Sequence, residues 1–398
     1  MQIPEKYKFI VQLGKALHTY GVPSYKSQMY LEKIADQSNI KGSFMDTPTW
    51  INYVFYEGDE NPYNYVECVP PGELNLGALS RVERITKSVL ANKVSFSEAK
   101  ENIENIESDQ ISYGKGIELL AFMTSAGAFS IILNTSWLSA LVSFLLGAVV
   151  FGFTLLAKRS QYIRTTLESS VALVSTLITG VLASYFTQIN LSMTILASII
   201  VFIPGLSLTT ALEEITSRSL VSGTAKLFDA LVSLFKQFFG VALGLILLSL
   251  FIDLKPNVVV NDVPEWVDYI AIILLTSSLL PVFKVAKQDA IYCILAGFIT
   301  FQVTALLDFS GLLLSIFIGT IVAVNISKLF SWITKSPPLV FLVPGIIMLV
   351  PGSKAFISLS SVIMDAGQAH SNMGEQALYI FMGIIGGLIF SGRFIAMK

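Results

Sequence analysis

Glu214 and Arg218 are an acid and a guanidinium four residues apart, within Ala211-Leu-Glu-Glu-Ile-Thr-Ser-Arg218. On a helix, positions i and i+4 share a face. Paired on an exposed face, the two groups stabilise a helix by only about 0.3 kcal/mol. Held at membrane depth, where an ionisable group is expensive and usually functional, they have a sharper use. Arg218 could take a carboxylate through its planar fork. Glu214 could take an α-amino group or carry a coupling proton. The pair follows Pro204-Gly205, where a long apolar run breaks. Free N–H groups at a helix start behind that break would add a place for a carboxylate. Ser207 follows the break closely, and Ser217 and Gly223 flank the charged pair. A second break, Pro351-Gly352-Ser353, lies 147 residues beyond the first. The expected substrate-binding set is therefore Pro204, Gly205, Ser207, Glu214, Ser217, Arg218, Gly223, Pro351, Gly352 and Ser353.

Other polar residues carry less. Gln302 and Asn325 sit in apolar runs, where interhelical hydrogen bonding is the common use. Asp229 follows Lys226 by three positions, and local pairing accounts for both. Asp308, Asp365, His370 and Glu375 fall in or near loops, where water satisfies them, although His370 beside Asp365 or Glu375 could sense external pH. His18 is read as a structural histidine, because the front holds no second His, CxxC or Ser/His/Asp spacing to accompany it. No catalytic residue, metal ligand or cofactor is expected. There is no G-x-x-x-x-G-K-[ST] phosphate loop, so transport driven by ATP is not indicated.

These residues need a membrane to position them. Of 398 residues, 53% are hydrophobic and 14% charged, against about 25% charged in a soluble domain. Residues 1–116 hold 27 of the 54 charged side chains, so a polar front precedes an apolar body. About 20 apolar residues span the hydrocarbon as a helix. Ten such segments lie near 117–134, 137–157, 167–187, 190–206, 226–252, 266–284, 289–307, 310–330, 337–352 and 374–395. Lys and Arg collect on the cytoplasmic side of a membrane protein. With the front inside, the inner loops carry Lys158, Arg159, Arg164, Arg218, Lys226, Lys284, Lys287, Lys328 and Lys335, and the C-terminus Arg393 and Lys398. The outer loops carry only Lys255 and Lys354. That asymmetry predicts ten spans with both termini cytoplasmic.

Each Pro-Gly break follows a fourth segment, and a GxxxG follows each break, at Gly240–Gly244 and Gly383–Gly387. Five is odd, so two five-helix units of one fold must be inverted relative to each other. Secondary transporters use this plan, with the site near the midplane at broken helices.

In the front, Phe9, Ile10, Leu13 and Leu17, then Met29, Leu31 and Ile34, mark helical spacing. Gly21-Val-Pro23-Ser24 interrupts it, and Ser24 is the expected N-cap of the second helix. Residues 49–57 and 63–69 read as strands. Leu74–Asn92 and Ser97–Glu107 read as further helices, the last opening at Ser97. The front is a small α+β domain. Residues 1–20 lack the apolar core of a signal peptide. Two cysteines, Cys68 and Cys293, suggest no disulfide framework. A net charge of −2 gives no reason to expect nucleic acid.

Several stretches are similar to one family. Leu17-His-Thr-Tyr20-Gly21-Val-Pro23-Ser24-Tyr25-Lys26 looks like an L..YGAPSHR segment, and Gly42-Ser-Phe44 with Thr47-Pro48-Thr49 like a GQF..IPG stretch. Leu76-Gly-Ala-Leu79, Ile85 and Ser97-Glu98-Ala99 follow the closing helices of the same pattern. Pro204-Gly205 followed by Glu214-Ile-Thr-Ser217-Arg218-Ser-Leu-Val221-Ser-Gly223 is similar to a PG…E..SR..V.G block, the most specific match. Val343-Pro344-Gly345 and Leu349-Val350-Pro351-Gly352-Ser353 are similar to the motif of the second half. On these residues the chain resembles the threonine/serine exporter family, which includes single-chain fungal pheromone-regulated membrane proteins and a split bacterial form. Where that family has His-Arg-Leu-Glu, this chain has Tyr25-Lys26-Ser27-Gln28. The departure favours a regulatory or gating front over hydrolysis.

The expected fold is a polytopic α-helical membrane protein: ten transmembrane helices as two inverted five-helix repeats, with an N-terminal cytoplasmic α+β domain. Its divisions are 1–112 (soluble domain), 113–252 (first repeat), 253–265 (outer loop) and 266–398 (second repeat). The resemblance implies a non-enzymatic secondary transporter in the cell membrane. It would export threonine- or serine-like amino acids or dicarboxylates by alternating access, driven by a proton or solute gradient. A gated channel and a membrane-anchored hydrolase acting through the front are the alternatives. The partners expected are the small-molecule substrate, protons and the lipid bilayer, with a homo-oligomer left open.

Overall fold

The computed structural model describes residues 3–56, 62–72, 74–108, 113–252, 262–349 and 372–392. The front opens with α1 (Glu5–Thr19) and α2 (Ser24–Gln37). Between them the Val22 N–H reaches the Leu17 carbonyl and the Gly21 N–H the His18 carbonyl. This is the left-handed helix stop that glycine permits, and Gly21 has φ +83°. A meander of β1 (Lys41–Asp46), β2 (Trp50–Tyr56) and β3 (Tyr63–Cys68) follows, antiparallel throughout, with Lys41 opposite Tyr56 and Trp50 opposite Cys68. Then come α3 (Leu76–Leu90) and α4 (Phe96–Ser108). Alternation along β2 buries Ile51, Tyr53 and Phe55 against α1, where Tyr7 stacks on Phe55 at 3.8 Å between ring centres.

Two expectations change here. Ser24 is the first residue of α2 rather than its cap, and its groups are spent elsewhere, as described below. The last front helix opens one residue before Ser97, at Phe96, with the Ser95 hydroxyl accepting the Glu98 N–H. His18 is 7% exposed, with Nδ1 2.8 Å from Asp46 Oδ1 and Nε2 3.1 Å from the Pro70 carbonyl. Both ring nitrogens face acceptors, so the ring ties α1 to β1 and to the segment after β3.

Glu83 is fully buried on α3, where Lys26 binds one carboxylate oxygen and the Tyr30 hydroxyl donates to the other at 3.1 Å. Burial, then the adjacent carboxylate, push the Tyr30 phenol far up, so it remains a donor. Removing one partner of a buried ion pair destabilises by roughly 3–5 kcal/mol, because the other charge is stranded. Lys87, 3.7 Å from Glu83, softens the loss. Lys26→Met is therefore expected to speed amide exchange in β2 by about a hundredfold, near the lower bound of that range. Hydrogen-exchange mass spectrometry on the full chain reads it, and unchanged exchange would show the pair to be ornamental to stability.

The apolar body contains α5 (Lys115–Ile132), α6 (Trp137–Ala157), α7 (Gln161–Tyr185), α8 (Leu191–Ser198), α9 (Gly205–Thr216), α10 (Leu220–Ser249), α11 (Trp266–Val282), α12 (Ala290–Leu306), α13 (Leu312–Thr334), α14 (Pro338–Met348) and α15 (Asn372–Phe390). Six of these are long and apolar enough to cross a membrane, and a seventh span results if the bent α8–α9 unit counts as one. The expected segments near 266–284, 337–352 and 374–395 are shorter apolar helices. The chain is thus a polytopic helical membrane protein in which, among the described residues, length and composition alone support six or seven spans.

Side-chain size sets the packing. On α10, Phe228, Val232, Phe235 and Phe239 form an exposed stripe at helical spacing, as a lipid-facing surface requires. Its opposite face carries Ala230, Leu234, Gly240 and Gly244 into the protein. A Cβ on Gly240 would lie 2.2 Å from the Ser169 carbonyl of α7, and one on Gly244 2.8 Å from Thr176. The pairing of α13 with α15 repeats this. A Cβ on Gly383 would lie 2.9 Å from Ile316, and one on Gly387 2.4 Å from Thr320. Thr176 and Thr320 both donate their hydroxyls to the carbonyl four residues back, Ala172 and Ile316. Likewise Gly147 seats α6 on α5 at Phe122, and Gly297 seats α12 on α11 at Thr276.

Candidate functional site

The first break is a real interruption. After α8 the chain makes a 3-10 turn at Ile200–Phe202, passes Pro204 and restarts as α9, bent by 59°. Pro204 has no N–H to give the ladder. The freed carbonyls find other donors: Ile200 accepts from the Ile203 N–H at 3.1 Å, Ile203 from the Gly205 N–H at 2.8 Å. Phe202 accepts the Gln237 side-chain amide at 2.8 Å, from a fully buried residue of α10. Irregular backbone at membrane depth survives only where protein or a cavity takes up its polar groups.

A cavity of about 330 Å³ opens at this break. Ligand pockets run from roughly 300 to 1,000 Å³, so it suits a small solute. Pro204, Gly205 and Ser207 form one wall, and Glu168 of α7 with Asp229, Ser233 and Lys236 of α10 form the polar side. Phe129 of α5, Leu275 and Leu279 of α11 and Ile347 of α14 close it with apolar surface, and Leu74 of the front reaches its rim. Helices of both halves of the body therefore meet around it. Lys236 Nζ stands 3.7 Å from Glu168 Oε2, which is itself enclosed and accepts no hydrogen bond among the described residues. The site thus presents one cation, two acids and two hydroxyls inside an apolar frame. That donor set matches a zwitterion carrying a hydroxyl.

Glu214 is placed differently from expectation. Arg218 lies beyond the end of α9, with φ +63° and an exposed side chain, so the two do not share a helical face. A left-handed residue after the last turn, with its cation near the negative end of the helix dipole, is a helix stop. Glu214 is fully buried and takes Lys226 Nζ at 2.6 Å and the backbone N–H of Ser24 at 2.9 Å. It caps the start of α2, where an acid is favoured. Glu213 accepts the Tyr25 hydroxyl at 2.8 Å, and Ser24 Oγ donates to Ser222 Oγ at 2.6 Å. Lys226 consequently pairs with Glu214, not with Asp229, and Asp229 turns to the cavity. The front also grips the second half. The Leu76 and Gly77 N–H groups donate to the carbonyls of Phe283 and Lys284, and the Tyr113 hydroxyl to that of Val285.

Of the expected set, Pro204, Gly205 and Ser207 share the cavity. Glu214 and Ser217 lie at the docking corner, Ser217 with an enclosed hydroxyl, and Arg218 faces out. Gly223 lets α10 approach α9, where a Cβ would meet Ile215 at 2.7 Å. Pro351, Gly352 and Ser353 lie outside the described residues. Glu168, Ser233 and Lys236 were missed by sequence reasoning. Their signal was present, an acid and a lysine inside apolar runs, but nothing in the order of residues brings them together.

Comparison with known proteins gives two family matches along the chain. Residues 8–248 match the family described as "Putative threonine/serine exporter", and residues 268–394 match the one described as "Threonine/Serine exporter, ThrE". Pheromone-regulated membrane protein 10 of Eremothecium gossypii is 25% identical over 93% of this chain and 50% of its own length. The threonine/serine exporter of Corynebacterium glutamicum is 23% identical over 76% of this chain and 64% of its own length. The Zygosaccharomyces rouxii pheromone-regulated membrane protein 10 is 25% identical over 60% of this chain and 25% of its own. The chain thus spans from a quarter to under two thirds of these relatives. No solved structure matches it. With both its front and its apolar body matched, the chain belongs to the threonine/serine exporter family of membrane proteins.

Proposed function

We propose that the chain is a secondary transporter that exports threonine, serine or closely related amino acids through the cavity at the Pro204 break. The observation that carries this reading is the cavity's composition. Lys236 takes the substrate carboxylate, Glu168 and Asp229 face its ammonium, and Ser207 and Ser233 offer partners for a side-chain hydroxyl. A site built to bind a hydroxyl rejects analogues lacking it, because its own polar groups are then stranded. Dicarboxylates fit less well, since two acids oppose one lysine.

The architecture proposed is ten spans in two inverted five-helix repeats, 113–252 and 266–398, joined by an outer loop at 253–265. Residues 1–112 form a cytoplasmic domain, with both chain termini inside. Support comes from recurrent packing. In each half the second helix seats a glycine on the first, and the fifth seats a GxxxG on the third, with a threonine opposite the second glycine. Family matches that divide between residues 248 and 268 agree with two units. Because α5, α7, α9 and α10 on one side and α11 and α14 on the other line the cavity, rocking one half against the other would open it to alternate sides. The test is flux into proteoliposomes. Saturable, counterflow-competent transport of radiolabelled threonine and serine, with alanine and valine poor competitors, is expected. Unsaturable conductance would replace the carrier with a channel.

A further inference from the structure

Glu168 carries chemistry that substrate binding alone does not use. Its Oε2 is enclosed and accepts no hydrogen bond among the described residues, an uncommon state for a carboxylate oxygen. Its ion-pair partner is Lys236, whose Nζ at 3.7 Å lies beyond hydrogen-bond reach. α7 meets α10 so closely at the next residue that a Cβ on Gly240 would strike the Ser169 carbonyl.

Resting on the transport reading above, we infer that Glu168 is the coupling carboxylate, a group that holds either the substrate ammonium or a proton but not both. In the empty cavity Lys236 is its neighbouring cation. When the substrate carboxylate enters, it claims Lys236, and the substrate ammonium becomes the new neutraliser of Glu168. If Glu168 already carries a proton, that proton must leave to water before the ammonium can pair with the carboxylate. When substrate departs, a proton can take its place. The exchange balances: one proton is lost as one ammonium binds. Mutual exclusion on one carboxylate converts an inward proton gradient into outward substrate movement, as an exporter requires.

The surroundings single out Glu168. The other charged residues lining the cavity are Lys236 and Asp229 of α10, and Arg164 precedes Glu168 by one turn on its own helix. The other cavity walls, from α5, α9, α11 and α14, present Phe129, Ser207, Leu275, Leu279 and Ile347, none of them titratable. Asp229 shares the cavity but has no cation paired with it at contact distance among the described residues, since Lys226 is held by Glu214. The acid that a bound carboxylate would part from its lysine is therefore Glu168.

The experiment is equilibrium binding of radiolabelled threonine to the full-length protein in detergent between pH 4.5 and 8. In the wild type the apparent Kd should rise as pH falls, approaching tenfold per pH unit once proton and ammonium compete. Glu168→Gln should bind more weakly with a Kd independent of pH. Asp229→Asn should keep the wild-type slope, whatever its affinity. A flat wild-type profile, a slope surviving in Glu168→Gln, or a slope lost in Asp229→Asn each overturns the assignment while leaving the carrier intact. If Glu168→Gln binds too weakly to measure, the wild-type and Asp229→Asn slopes decide. Absence of threonine binding by the wild type at every pH would instead remove the transport reading itself.

Discussion

Lys236→Met should lower threonine flux at least about thirtyfold in proteoliposomes while the protein still assembles. The substitution retains the apolar stem and its packing along α10 but removes the cation of the cavity. A charged partner truncated in an enclosed site costs about 2–5 kcal/mol, or roughly 30- to 5,000-fold in affinity. The loss should fall on substrate carboxylates, so a decarboxylated analogue of threonine should lose little or no affinity. Lys236 is 39% exposed, so water reaches it and the protein does not depend on the ion pair for stability. Lys236→Arg should restore part of the flux, because a guanidinium keeps the charge with a different reach. Wild-type flux from Lys236→Met would place substrate elsewhere.

A second large effect is structural. Gly240→Leu should abolish accumulation of folded protein, since the first added carbon would lie 2.2 Å from the Ser169 backbone carbonyl. Overpacking typically costs about 1–3 kcal/mol, and an obstructing backbone that cannot rotate away places this case at or above that upper end. The α7–α10 seam is also what brings Glu168 opposite Lys236, so any surviving protein should transport poorly. Gly387→Leu, facing Thr320 at 2.4 Å in the second half, should behave alike. Gly152→Leu is the control: a Cβ there meets nothing within 4 Å. Size-exclusion chromatography of detergent extracts gives the readout. Normal accumulation of Gly240→Leu would mean that the two helices are not seated on this glycine.

Much of the fold is legible in the residue order because its signals are local. Apolar length marks α6, α10 and α13, and helical spacing in Phe9, Ile10, Leu13 and Leu17 marks α1 and its buried face. Aromatic and β-branched runs mark β2 and β3. The missed strand, β1, reads Lys41-Gly-Ser-Phe-Met-Asp46, with no β-branched residue. Its conformation comes from the β2 backbone beside it, a long-range cause that local composition does not carry. The error at Glu214 has the same origin. An i, i+4 reading assumes that the helix continues, yet α9 stops at Thr216 and Arg218 turns left-handed.

Sequence alone determined that this protein is a polar front on a helical membrane body, that the body breaks at Pro204, and that glycine pairs recur after each break. Those properties follow from hydrophobic length, a missing N–H and a missing Cβ, each written in a few adjacent residues. Only the tertiary structure decided what meets at the break. It joined Glu168 to Lys236 across 68 positions, and Glu214 to Ser24 across 190. The reason is that charge pairing inside a membrane is selected by which helices can approach closely enough. That approach depends on small residues on both partners at once, a property of the packed pair rather than of either helix.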